Sequence, residues 1–409
     1  MIKMQSPMFT IQYLEDSPDL AQLDQKPVVN KLRAAAERLP FTHLLIGWHV
    51  PLPLLDACCA EAERLGMHFM RWQPLLTTDK GIQPDSAWQT EGLTGGKVAG
   101  YRGLPEFTFF CPMHPAVQEA IYNHLDKLIR QGIYQGFFLD RVRFPSPSPD
   151  PLNNLACFCE YCQRVAAGYD MDLEGIRREI LRSTLEEKGR ISLIKALLTG
   201  KVEPEEADQG PHLGQFLAFR KRSVYDLLAF ITQPLKEAHL EIGLDCYSPS
   251  LTHMVGQDLC KMSDLVDWIK LMTYAHTLAP AGLPFELSGL FHYLTSSSHL
   301  SEEQALELIS QATGLPLPNS IRPLEEEGLP SLALEKEVGY GVDACSVPAL
   351  AGMELVELEG VTRLNPDHIQ ADLTAIKRAG SAGLAISWDL LHIPLDWLDL
   401  VRQVYFGQS

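Results

Sequence analysis

The chain has 409 residues, an ordinary globular composition (46% hydrophobic, 21% charged) and a formal net charge of −18. That charge argues against a nucleic-acid partner, which requires a basic footprint to neutralise phosphates, and it disfavours an anionic membrane surface. No apolar run approaches the ~18 residues of a membrane span, and the N-terminal MIKMQSPMFTIQYLEDSPD lacks the basic, apolar and small-residue regions of a secretory signal.

In chain order, short apolar runs alternate with amphipathic helical stretches, the pattern of βα units around a parallel sheet. Met8–Tyr13 reads as the first strand, and a helix follows from Pro27 to Leu39. Thr42–Val50 is an apolar run fit for a strand covered on both faces. A helix from Pro51 to Leu65 then ends at Gly66, where a C′ glycine belongs. Met67–Leu76 is the third strand. After a polar loop, Cys111 to Gly132 carries a helix with Pro115 at its start and Val117, Ile121, Leu125 and Leu128 as its apolar stripe.

Gln135–Phe144 reads as strand four. Residues 146–214 then form an insertion expected to sit over the barrel mouth as a subdomain: Pro/Ser-rich, then cysteine-bearing, then helical. Helix 215–240 leads to strand five, Ile242–Tyr247. A short helix, Lys261–Val266, precedes strand six, Trp268–Tyr274. A long excursion follows, in which Ser301 and Gln304 form a capping box. Pro348–Val356 is taken as strand seven, with the preceding GYGVDACSV as a rival. Asn365 and Pro366 start the penultimate helix, Leu384–Trp388 is strand eight, and Pro394–Tyr405 closes the chain. Eight units predict one (β/α)₈ barrel, an α/β fold spanning residues 1–409.

In such a barrel the residues just past the strand ends line one mouth. They are His49 after strand two, Arg71 and Trp72 in strand three, and Asp140, Arg141 and Arg143 at strand four. Strand five offers Asp245 and Tyr247, strand six Tyr274 and His276, strand seven Glu354 and Glu357, and strand eight Trp388 and Asp389. Carboxylates supply acid, base or nucleophile, aromatic faces make apolar platforms, and Arg grips oxygens by forked donation. Asp140 is the sharpest of these, because a charge ending the apolar run GFFL belongs at a strand terminus; the alternative is an ion pair with Arg141 or Arg143 that only holds the loop. Asp140 with Glu354 is the expected pair. Arg143 would keep Asp140 ionised and leave Glu354 as the acid; if Glu354 faces away, Asp245 or Asp389 inherits its role.

Nine cysteines, an odd number with several in apolar surroundings, suggest reduced thiols in the cytoplasm. Cys157, Cys159 and Cys162 could hold a structural zinc ion if Cys111, on the loop before the third helix, supplies the fourth ligand. A disulfide or plain buried thiols are the alternatives. No phosphate-binding glycine signature appears where a strand meets a helix, so no cofactor is required.

The stretch CPMHPAVQEAIYNHLDKLIRQGIYQGFFLDRVRFPSP, followed by CFCEYC and FLAFR (216–220), resembles the glycosidase-like barrel proteins of bacteria. These carry a Cys-Pro turn before a helix, a G-x-x-x-D-x-x-R-[FY]-P strand four and a cysteine-rich inserted segment. DWIKLMTYAH, AGMELVE and GLAISWDLLHIP are similar to strands six, seven and eight of that group, and LMTY also to strand six of chitinase-type barrels. The resemblance implies a glycoside hydrolase acting on an oligo- or polysaccharide, with Asp140 catalytic. In retaining α-glycosidases a strand-four Asp is the nucleophile; in other barrels it is the acid/base, opposite a strand-seven nucleophile. The chitinase run D-x-x-D-x-D-x-E is absent, with Arg141 and Arg143 where acids would stand. A carbohydrate-binding barrel without catalysis and a metal-assisted hydrolase of another class are the other functions compatible with these residues.

Overall fold

The computed structural model describes residues 6–14, 24–77, 85–202 and 210–407. Eight parallel strands close on one another in sequence order, β1 pairing with both β2 and β8. They are β1 (Met8–Tyr13), β2 (His43–Ile46), β3 (His68–Pro74), β4 (Gly136–Asp140), β5 (Glu241–Cys246), β6 (Trp268–Leu271), β7 (Ala349–Glu354) and β8 (Gly383–Ser387). This is the (β/α)₈ barrel the sequence predicts.

Helices α1 (Gln25–Arg38), α2 (Leu52–Leu65) and α3 (Pro115–Gln131) follow the first three strands. Local chemistry sets their ends: the Asp24 carboxylate accepts from Lys26 N, and Gly66 and Gly132 take the left-handed conformation past α2 and α3. Between β4 and β5 the chain builds α4 (Pro151–Asn154), α5 (Glu160–Ala167), α6 (Leu173–Ser183) and α7 (Glu187–Thr199) before the long α8 (Gly210–Glu237). The inserted helices pack on loops that follow other strands. Phe158 N donates to Glu91 O and Arg177 Nε to Leu93 O, both acceptors lying in the loop after β3, while α7 packs on the turn after β5 and on later helices.

Helix α9 (Leu259–Met262) precedes β6, and the excursion before β7 folds into α10 (Leu283–Ser297), α11 (Glu302–Thr313), α12 (Ile321–Glu326) and α13 (Ser331–Ala344). The capping box at Ser301 and Gln304 is present. The rival strand GYGVDACSV is mostly the last turns of α13, and strand seven lies after it. Gly341 explains the packing there: a Cβ would stand 2.2 Å from Leu271 Cδ1, so the helix sits on β6 only because that position carries no side chain. Helices α14 (Pro366–Arg378) and α15 (Leu395–Phe406) complete the ring.

Several strands are shorter than their apolar runs. Strand four ends at Asp140 rather than Phe144 because Arg141 takes φ 56° and turns the chain out of the ladder. The alternation along each strand divides two cores. Leu45, Met70, Trp72, Phe138, Trp268, Leu350 and Ala385 fill the barrel interior, and the opposite parity packs against the helices. No helix among the described residues is long and apolar enough to cross a membrane.

Candidate active site

Register decides which carboxylates meet. Strand β4 pairs with β5 through Phe138↔Gly243 and Leu139↔Leu244, and the next step sets Asp140 beside Asp245. Both share the parity of inward-facing Phe138, so two acids project from neighbouring strands at the C-terminal end of the barrel.

Their settings differ. Asp140, 4% exposed, accepts through Oδ2 from Trp72 Nε1 at 3.1 Å and through Oδ1 from the Arg141 backbone N–H. The Arg141 guanidinium lies 3.8 Å from it, so Asp140 is surrounded by donors and positive charge. Asp245, 2% exposed, accepts from Lys270 Nζ at 2.9 Å through Oδ2, while its Oδ1 has no hydrogen-bond partner. Burial, and then the negative charge of Asp140, push the Asp245 carboxyl up to about 7 against the pull of Lys270.

Lys270 is fully buried in the middle of β6, a position the sequence reading passed over. Its ammonium also donates to Gln12 Oε1 at 3.2 Å and lies over the Phe138 and Tyr274 rings. Burial disfavours its charge, but Asp245 and the Tyr274 phenol outweigh it and hold the ammonium above the usual lysine range. Tyr274 donates to Ser387 Oγ at 3.1 Å, and Ser387 donates to Gln12 Oε1 at 2.6 Å. Gly352 makes the space: a Cβ there would stand 2.9 Å from Lys270 Cε. Gln12 and Ser387 were not anticipated either. Their only signal is a polar residue at inward parity in an otherwise apolar strand.

The aromatic and cationic candidates fall into two groups. Trp72 meets Trp48 edge-on at 5.2 Å, His49 lies against the Trp48 ring, and Trp388 meets Tyr274 edge-on at 5.3 Å. Arg143 stacks between the Phe109 and Tyr247 rings, 4.6 Å from each. Arg143 and Tyr247, with Tyr101, Phe107, Phe109 and Glu286, line a cavity of 270 Å³. A cleft of 560 Å³ shares Pro149 and Phe285 with it. Asp140 and Asp245 do not line this cavity; Arg143 connects the two regions, since its charge also acts on Asp245. Glu286 closes the cavity wall by accepting from Ser146, Ser148 and Ala281 N.

Arg71, by contrast, has the outward parity of β3, and its guanidinium donates to Gln73 Oε1, Gly47 O and Trp48 O. It fixes the β2–β3 junction instead of reaching the mouth. Glu354 accepts from the His276 backbone N–H at 2.6 Å, and burial lifts its carboxyl to about 7. His276 in turn pairs through Nε2 with Asp372 of α14 at 2.9 Å and through Nδ1 with Glu327 O. Glu354 keeps the inward parity of Leu350, but its carboxylate is engaged by His276 in a tie between β7, the loop after β6 and α14; the acid on the strand adjoining Asp140 is Asp245. Asp389 accepts from Leu391 N and caps the turn after β8, 3.6 Å from His392.

Away from the pair, Cys111, Cys157, Cys159 and Cys162 converge, their sulfurs all within 4.8 Å of one another and all four side chains buried.

No family model matches the chain, and no curated protein matches it. What the fold and site define is a (β/α)₈ barrel with a buried acid pair at its C-terminal face. Among solved structures the chain is similar to the PgaB (BpsB) glycoside hydrolase domain from Bordetella bronchiseptica, at 11% identity and a TM-score of 0.57 over 99% of this chain and 100% of that one. It is also similar to α-L-fucosidase isoenzyme 2 from Paenibacillus thiaminolyticus (9% identity, TM-score 0.52, 98% of this chain and 49% of that one). A third similar structure is the β-galactosidase from the psychrophilic Marinomonas ef1 (9% identity, TM-score 0.51, 97% and 59%). The chain spans about half of the fucosidase and about three fifths of the galactosidase. At these identities the likeness is one of architecture.

Proposed function

We propose that this barrel hydrolyses a glycosidic bond in an oligo- or polysaccharide, with Asp140 as nucleophile or base and Asp245 as acid. The observation that carries the reading is the contrast between two neighbouring carboxyls. One is held by an indole N–H, a backbone N–H and a guanidinium; the other is buried with a bare oxygen and raised to about 7. Glycoside hydrolysis needs one carboxyl protonated and its neighbour ionised at the same pH. As Asp245 gives its proton to the departing sugar oxygen, Lys270, 2.9 Å away, stabilises the carboxylate that forms. The aromatic and arginine-lined cavity suits sugar rings and hydroxyls. Solved barrels named as a glycoside hydrolase domain, a fucosidase and a galactosidase support the same chemistry, although a barrel alone hosts many reactions. Nine cysteines, none of them in a disulfide, suit a reducing compartment, and on that ground we place the protein in the cytoplasm.

The test is release of reducing ends from a panel of oligosaccharides and aryl glycosides. Wild type should release them, and Asp140→Asn and Asp245→Asn should each lose about 10²–10⁴-fold in rate with an unchanged circular dichroism spectrum. Saturable sugar binding with no bond cleavage on any member would favour a carbohydrate-binding barrel and overturn the enzymatic reading.

A further inference from the structure

The four converging thiols come from two separate stretches of chain. Cys111 lies in the loop before α3, Cys157 and Cys159 in the link between α4 and α5, and Cys162 in the first turn of α5. The Cys111 sulfur lies 3.4 Å from that of Cys162 and 3.5 Å from that of Cys159. Four thiolates around one tetrahedral zinc ion, at Zn–S distances of about 2.3 Å, stand about 3.8 Å apart. The Glu91 backbone N–H donates to Cys157 Sγ at 3.3 Å, the kind of outer contact that orients a thiolate ligand.

A second observation points independently to negative charge at this place. Arg220 of α8 is fully buried, and none of its three guanidinium nitrogens has a hydrogen-bond partner. Its carbon lies 4.9 Å from the Phe144 ring centre and 5.8 Å from that of Phe216. Phe216 stacks on Phe158, the residue between Cys157 and Cys159, with ring centres 4.4 Å apart, which sets Arg220 beside the cluster. An ion so placed needs an anion beside it. Neutral thiols supply none, and neither do disulfides. Four thiolates on a divalent ion carry a net charge of two negatives, which gives the guanidinium its counter-charge.

We propose that Cys111, Cys157, Cys159 and Cys162 bind one zinc ion as a closed structural site, with Arg220 as its buried counter-ion. The metal would fasten the inserted helices to the loop between β3 and α3. With four protein ligands no position is left open for water or substrate, so the ion plays no part in hydrolysis. The proposal therefore stands apart from the glycosidase reading, and neither failure implies the other.

The test uses the full-length protein as purified. Elemental analysis should give one zinc per chain. A chromogenic chelator should register its release only when an organomercurial titrates the thiols. Regrowth in cobalt should yield the intense near-ultraviolet thiolate-to-cobalt band of a tetrahedral sulfur site. Cys159→Ser should lower the zinc content, and Arg220→Met should speed zinc loss to chelator; if either variant fails to fold, the wild-type measurements still decide. Zinc-free protein with all four thiols open to alkylation overturns the proposal. So do disulfides found by mass spectrometry, or stoichiometric iron in place of zinc.

Discussion

Asp140 could be read from sequence because a charge after GFFL has nowhere to go but the end of a strand. Asp245 carried the same signal after IGL, but its rank against Glu354 depended on register, and spacing along the chain says nothing about register across a barrel. Lys270 was legible in principle, as the one cation in WIKLM. A buried lysine is unexpected until its partner is known, and that partner, Asp245, lies 25 residues away on another strand. At this scale the sharpest prediction concerns Trp72, whose indole N–H is a charge-assisted donor to Asp140. Trp72→Phe keeps the aromatic wall and removes the donor. Its kcat should fall about tenfold or more, with KM little changed, in line with the ~1.5–3 kcal/mol typical of a hydrogen bond to a charged group. A change in KM alone would mean that Trp72 contacts sugar and does not set Asp140.

Among the elements, eight strands and the order of units were legible because parallel strands covered on both faces read as apolar runs. Their ends were not, since an apolar run continues into buried loops at the mouth. GYGVDACSV looked like a strand because its glycines hide a helix that needs one of them for close packing on β6. His276, just past the end of β6, belongs to an inter-element tie. Burial works against its charge, but the bond to Asp372 prevails and lifts the imidazolium to about 9. The folded chain therefore holds this proton more tightly than the unfolded one. The stabilisation is fully present below the ordinary histidine value of about 6.5 and is lost as pH rises through about 9. In thermal melts at pH 6, His276→Gln should be clearly less stable than wild type. The gap should narrow toward pH 10; a constant gap would mean that shape, not charge, makes the tie.

For the molecule as a whole, the two ends of the barrel do different work. At the N-terminal end Glu241 meets His43 at 3.0 Å and His68 at 2.7 Å, and Trp268 Nε1 donates to it at 2.9 Å. Burial opposes the charge, yet the two histidines outweigh it and hold the Glu241 carboxyl down at about 2. Its contribution is present above the ordinary carboxylate value of about 4.3 and is lost as pH falls through about 2. Glu241→Gln should thus destabilise at pH 6 and converge with wild type near pH 2, as followed by urea midpoints, while leaving turnover unchanged. A large loss of turnover would contradict the division between a stabilising floor and a reactive mouth.

In the proposed mechanism Asp245 carries the proton at neutral pH and acts as the acid beside Asp140. The pH dependence of kcat/KM, measured on a glycoside with a poor leaving group, tests this most directly. Activity should fall as pH rises above about 7, the value to which burial and Asp140 lift the Asp245 carboxyl. In Asp245→Asn that basic limb should disappear, and the residual rate should recover best on aryl glycosides whose leaving groups need no proton. A basic limb that survives unchanged in Asp245→Asn would contradict the pair, and Asp245 would then be only the buried partner of Lys270.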